Sequence, residues 1–194
     1  MTALLAIIII VIIYDTGEYF IAKSNYKRNR QLERTDSLGF INGQALGIYK
    51  NYRYGLFTNG RNTCETIAVH NAKVYLGISS TLSQTIYDVQ KCRGMWLFGA
   101  FGTLPFRTDE ILDSYKIGYK RVKKPQEMTE EGMYIISFWV KRKIAWGMHT
   151  VAVVYDGQMH TAYNLYSNRR EIRRIIPNDY EKTFICGYYL GKPQ

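Results

Sequence analysis

The chain is short of cysteine, with three in 194 residues and no two set as a CxxC pair. Neither a disulfide framework nor a zinc site is therefore expected, and nothing asks for a metal or other cofactor. Internal repeats and low-complexity tracts are missing too, which leaves ordinary globular composition rather than disorder. Acidic residues are the third scarcity: 16 against 26 Lys and Arg gives a formal net charge of +10. Such a balance is common among nucleic-acid binders. Here, however, the basic residues are spread over Lys23–Arg34, Lys120–Lys124, Lys141–Lys143 and Arg169–Arg174. No recognition helix or zinc finger accompanies them, so no nucleic-acid partner is expected. Anionic lipid or a polyanionic cell wall accounts for the charge at least as well.

What is present begins with one apolar run, unbroken from Ala3 to Tyr14. Continued to Ala22 it reaches the ~20 residues of a membrane helix, at the cost of including Asp15 and Glu18. Residues 1–22 read as a membrane segment, either a signal-anchor or a signal peptide. Lys23, Lys27, Arg28, Arg30 and Arg34 follow it. By the positive-inside rule that flank stays on the cytoplasmic face. An atypical signal peptide would instead place the domain outside the cell. Residues 23–48 read as a basic linker, and 49–194 as one folded domain.

Within the domain, Cys64, Ile67, Ala68, Asn71, Ala72, Tyr75 and Leu76 follow helical spacing, and Gly77 supplies a stop. A second helix is predicted from Ser79 or Ser80 to about Lys91, and a third over Thr108–Tyr115. Tyr52–Phe57 suits a short strand. After Gly132 the pattern turns to strands at 133–140, 148–155, 158–166 and 183–190. Helices first and an antiparallel sheet second is an α+β order.

One constellation carries chemistry. Asp156-Gly157 is a strong hairpin signal. If those two residues form the loop, His149 pairs with Asn164, close enough for the Asn164 amide to orient the imidazole. Cys64 opens a helix, where the dipole and free N–H groups lower a thiol pKa, as would a neighbouring imidazolium. Thiol, imidazole and amide together suit cysteine-based acyl transfer. Asn59 and Asn62, just upstream, are candidates to join the Cys64 N–H in an oxyanion hole, with Gln44 more distant. His70 points away from Cys64 around the helix and reads as a surface residue. Parity sets His160 on the other sheet face from His149, and Asn168 reads as a turn residue. Cys92 and Cys186 read as buried apolar thiols. Trp96, Phe98 and Phe101 either line a cleft or simply pack.

The stretch Asn62-Thr63-Cys64-Glu65-Thr66-Ile67-Ala68, with Asn71-Ala72 and Leu76-Gly77, resembles the active-site helix of papain-fold cysteine peptidases. Within that fold it is most similar to the bacterial group related to double-glycine-leader (bacteriocin-processing) peptidases. Met95 to Pro105 resembles the loop those proteins carry after their second helix. His149 and Asn164 match the family's His and Asn/Asp positions. Thr58 stands where the family usually has a Gln. The resemblance implies a papain-like fold and a membrane-attached peptidase acting on a peptide or protein through Cys64, His149 and Asn164. A transferase with the same triad, and a catalytically silent binding protein, are the alternatives.

Overall fold

A computed structural model describes residues 2–33, 39–92, 94–141 and 146–193. Arg34 and residues 35–38 of the segment read as linker, and Lys143 of the third basic group, lie outside them. The element order is α1 (Thr2–Arg30), β1 (Arg53–Tyr54), β2 (Phe57–Thr58), α2 (Asn59–Asn62), α3 (Cys64–Tyr75), α4 (Leu82–Lys91) and α5 (Thr108–Ser114). There follow β3 (Lys120–Val122), β4 (Gly132–Lys141), β5 (Trp146–Tyr155), β6 (His160–Tyr163), β7 (Arg173–Ile175) and β8 (Phe184–Gly191). The expected α+β class holds: helices precede a six-stranded antiparallel sheet of order β3-β8-β4-β5-β6-β7.

Local chemistry sets the helix limits. Thr81 caps α4 by accepting from the Gln84 N–H at 3.2 Å, so the helix starts just past the two serines expected to open it. Gly77 ends α3 with φ 72°, the Gly77 N–H reaching Val74 O and the Ile78 N–H reaching Lys73 O at 2.9 Å. That is the Schellman arrangement, which satisfies carbonyls the helix end would strand.

Two cores form, one on each face of the sheet. On one side α3 and α4 cover Met133, Ile135, Ala152, Tyr188 and Leu190. On the other, Tyr134, Ile136, Phe138, Val151, Val153 and Ala162 pack with Met128 and Ile175. Both faces of β4 and β5 are therefore buried.

The segment read as the start of a linker is instead helix. Glu18, Ala22, Asn25 and Asn29 are buried, a spacing that puts them in one stripe along α1. Asn29 grips the Arg53 peptide from both sides, accepting from its N–H at 2.7 Å and donating to its carbonyl at 2.9 Å. One turn earlier, Asn25 donates to the Gly55 carbonyl at 2.7 Å and to Gln90 at 3.2 Å. Among the described residues Leu4 to Ile13 are exposed apolar positions, and Leu4–Arg30 is long and apolar enough to cross a membrane. Replacing Asn29 by Ala removes both partners from the part-buried Arg53 main chain, two hydrogen bonds worth about 0.5–1.5 kcal/mol each. We expect faster amide exchange across residues 25–30 in that variant, with the sheet amides unchanged.

Candidate functional site

Cys64 begins α3 and lines a cavity of about 400 Å³ together with Asn62, Trp96, Phe101, Trp146 and Thr150. Thr63 precedes it, its hydroxyl donating to the Asn59 carbonyl at 2.5 Å across the single turn of α2. Directly behind the cysteine, Glu65 is 1% exposed and accepts from the hydroxyls of Thr108 and Thr150, the latter at 2.9 Å. Burial pushes its carboxyl up from 4.5 to about 7, against the pull of those two donors. Thr150 also bonds Ser137 at 2.8 Å, so the strand floor under Cys64 is a hydroxyl pair.

His149 is not there. Ser137 pairs with Thr150, and Phe138 pairs with His149, along an unbroken β4–β5 register. Successive strand residues point to opposite faces. Thr150 faces α3, so His149 faces the second core, where its ring meets Phe138 edge-on at 5.8 Å. It borders a separate depression with Phe138, Tyr166 and Tyr180. The sheet thus stands between the thiol and the imidazole. Nor is the thiol activated as expected: burial raises the Cys64 pKa, and hydrogen bonds from the Thr150 and Glu65 main chain offset only part of that.

The hairpin differs from the expectation as well. Tyr155 pairs with His160 and Ala152 with Tyr163, so the loop has four residues rather than two. Asp156 Oδ1 accepts from the N–H groups of Gln158 and Met159 at 2.9 and 2.8 Å, an Asx turn that the wider loop accommodates. Paired residues share a face, so His160 lies on the face of His149, contrary to the parity expectation. It stacks on Tyr155 at 4.2 Å and meets the Met128 carbonyl at 2.8 Å.

Asn164 does meet His149, but through its main chain. His149 Nε2 lies 2.9 Å from the Asn164 carbonyl oxygen, which can only accept, so the proton sits on Nε2. The Asn164 side chain turns away, and its φ of 60° ends the strand. Oδ1 accepts from the Gly43 and Gln44 N–H groups at 3.2 and 3.1 Å, while Nδ2 donates to Gln44 Oε1 at 2.8 Å.

The oxyanion candidates divide. Asn62 reaches the cavity, but its amide donates to the carbonyls of Gly99 and Ala100 at 2.9 and 2.8 Å. Asn59 is fully buried, and neither of its amide atoms has a hydrogen-bond partner among the described residues. Gln44 bridges Asn164 and the Asn59 carbonyl, reaching the latter at 3.3 Å. His70 is buried, not exposed as expected, because residues 39–41 cross α3 there. Its Nε2 lies 3.3 Å from Gly39 O, and Asn71 holds both the N–H and the carbonyl of Ile41. Cys92 and Cys186 are partly buried free thiols. Sequence reasoning missed Thr150 and Glu65 and gave Gln44 a more distant place than Asn59 and Asn62. The small Ala152, two residues past Thr150, was the available signal for which face meets α3.

A scan of protein-family models gives no match to this chain, and a search of curated proteins gives none either.

Proposed function

We propose that this chain is a membrane-attached domain of papain-like design that captures a peptide in the aromatic cleft beside Cys64 without cutting it. The observation carrying this reading is the sheet between Cys64 and His149, which keeps that imidazole from the thiol. The cleft has the size of a ligand site and is walled by Trp96, Phe101 and Trp146, with no charged side chain among its described lining. Such a wall suits apolar peptide side chains. The exposed apolar face of α1, followed by Lys23, Lys27, Arg28 and Arg30, supports attachment with the domain on the cytoplasmic side.

A cysteine peptidase is the second reading, favoured by Cys64 standing at a helix N-terminus on a cavity wall. It requires His149 to change faces, which a one-residue slip of β5 would accomplish. The alkylation rate of Cys64 against pH, in the parent and in His149→Ala, separates the two. Capture without cleavage predicts a rate that climbs only above the ordinary thiol range near pH 8.5, equally in both proteins. Fast alkylation at pH 5–6 that disappears with His149 would replace this reading with the peptidase.

A further inference from the structure

The loop after α4 is held against α1 where the continuous run of exposed apolar residues ends, with Tyr19 and Phe20 still exposed beyond it. Ile13 is the last residue of the exposed run, and Tyr14 packs its ring on Phe98 at 4.7 Å. At Gly17, one turn on, an added Cβ would sit 3.3 Å from the Phe98 ring, a contact tight enough that the ring would have to give by a few tenths of an ångström. Gly55 closes the other side. The Leu56 N–H donates to the Phe98 carbonyl at 2.9 Å, and a Cβ on Gly55 would collide with that same oxygen.

The loop is also rigid and turned outward. Met95 and Thr103 pair across its base, and Trp96 N–H bonds Gly102 O at 2.9 Å. Leu97 and Phe98 both adopt left-handed backbone, with φ of 47° and 53°. L-residues avoid that conformation, and two in succession persist only where surrounding contacts impose it. The result sends Phe98 onto α1 and leaves Trp96, Leu97 and Phe101 43%, 50% and 59% exposed. Trp96 and Phe101 touch each other at 5.1 Å, and both wall the cleft beside Cys64.

We propose that this loop is a membrane-interface element: Trp96, Leu97 and Phe101 enter the headgroup layer beside α1, and the cleft opens at the bilayer surface. The inference rests on the membrane attachment proposed above. Because α1 meets Phe98 within one residue of its apolar run, a bilayer around that run ends beside the loop that carries Trp96. Tryptophan favours that depth, its ring apolar and its N–H wet. The occupant of the exposed patch is therefore lipid, continuous with the lipid around α1, and the captured peptide would reach the cleft along the membrane.

The test uses the full chain in phosphatidylcholine vesicles, with Trp139→Phe and Trp146→Phe leaving Trp96 as the single emitter. Lipids brominated near the headgroup should quench its emission about two-fold relative to unbrominated vesicles. In the otherwise unaltered chain, Trp96→Phe should remove most of the bromolipid quenching, which covers the case where the double variant folds poorly. Chains that float with the vesicles but show equal emission with both lipids would overturn the interfacial loop and leave attachment standing. Chains that fail to float would overturn both.

Discussion

Asn164→Ala should be among the most damaging single changes in this domain, lowering its stability by about 3 kcal/mol or more in urea titration. The sum has three parts. The Gly43 and Gln44 N–H groups lose their acceptor and Gln44 Oε1 loses its donor, all in buried surroundings, and each stranded group costs about 1–3 kcal/mol. The backbone at φ 60° remains, a conformation Asn tolerates better than Ala. Asn164→Asp keeps the acceptor for both N–H groups and should lose far less. Equal losses in the two variants would mean that the Gly43-Gln44 turn is not held by this side chain.

The second large effect belongs to Glu65. Its carboxyl titrates near 7 in the fold against 4.5 when free, so the folded state prefers the neutral acid. A folded pKa above the unfolded one adds stability that is complete below pH 4.5 and is lost as pH rises through 7. At 1.36 kcal/mol per unit the swing is about 3 kcal/mol. Glu65 is 1% exposed, so solvent screens little of it. Glu65→Gln keeps an acceptor for one of the two threonine hydroxyls, offers the other an N–H donor, and has no charge to bury. The variant should match the parent at pH 4.5 and exceed it by about 3 kcal/mol at pH 8, compared by urea midpoints at each pH. A difference independent of pH would show that Glu65 stays ionised in its pocket.

The helical half was readable because its signals are local. Alternating core positions, Thr81 before α4 and Gly77 after α3 act within a turn of the chain, and each marks its boundary within a few residues. The short strands β3 and β7 carry no pattern of their own; they exist because β8 and β6 offer edges to pair with. The candidate site failed at a different level. Face assignment from alternation needs one wet face, and β5 has none: Ala152 packs under α3 while Val151 and Val153 fill the opposite core. With both faces apolar, alternation alone leaves the imidazole beside Cys64 or away from it, and only the small Ala152 distinguishes the two. The loop length added a second error, because Asp156 bonding two N–H groups favours four residues where Asp-Gly alone suggests two. The His149–Asn164 neighbourhood survived both errors. It did so through a main-chain carbonyl that no side-chain pattern can announce.

The grip of Asn25 and Asn29 on the peptides of β1 and the turn after it gives α1 a mechanical role. A tethered domain could spin freely above its anchor. Here the carboxamides hold the helix at two successive turns, so roll about the helix axis is transmitted whole. Twist applied at the exposed end of α1 is therefore passed on to the domain that carries the Cys64 cavity, as a handle turns a key.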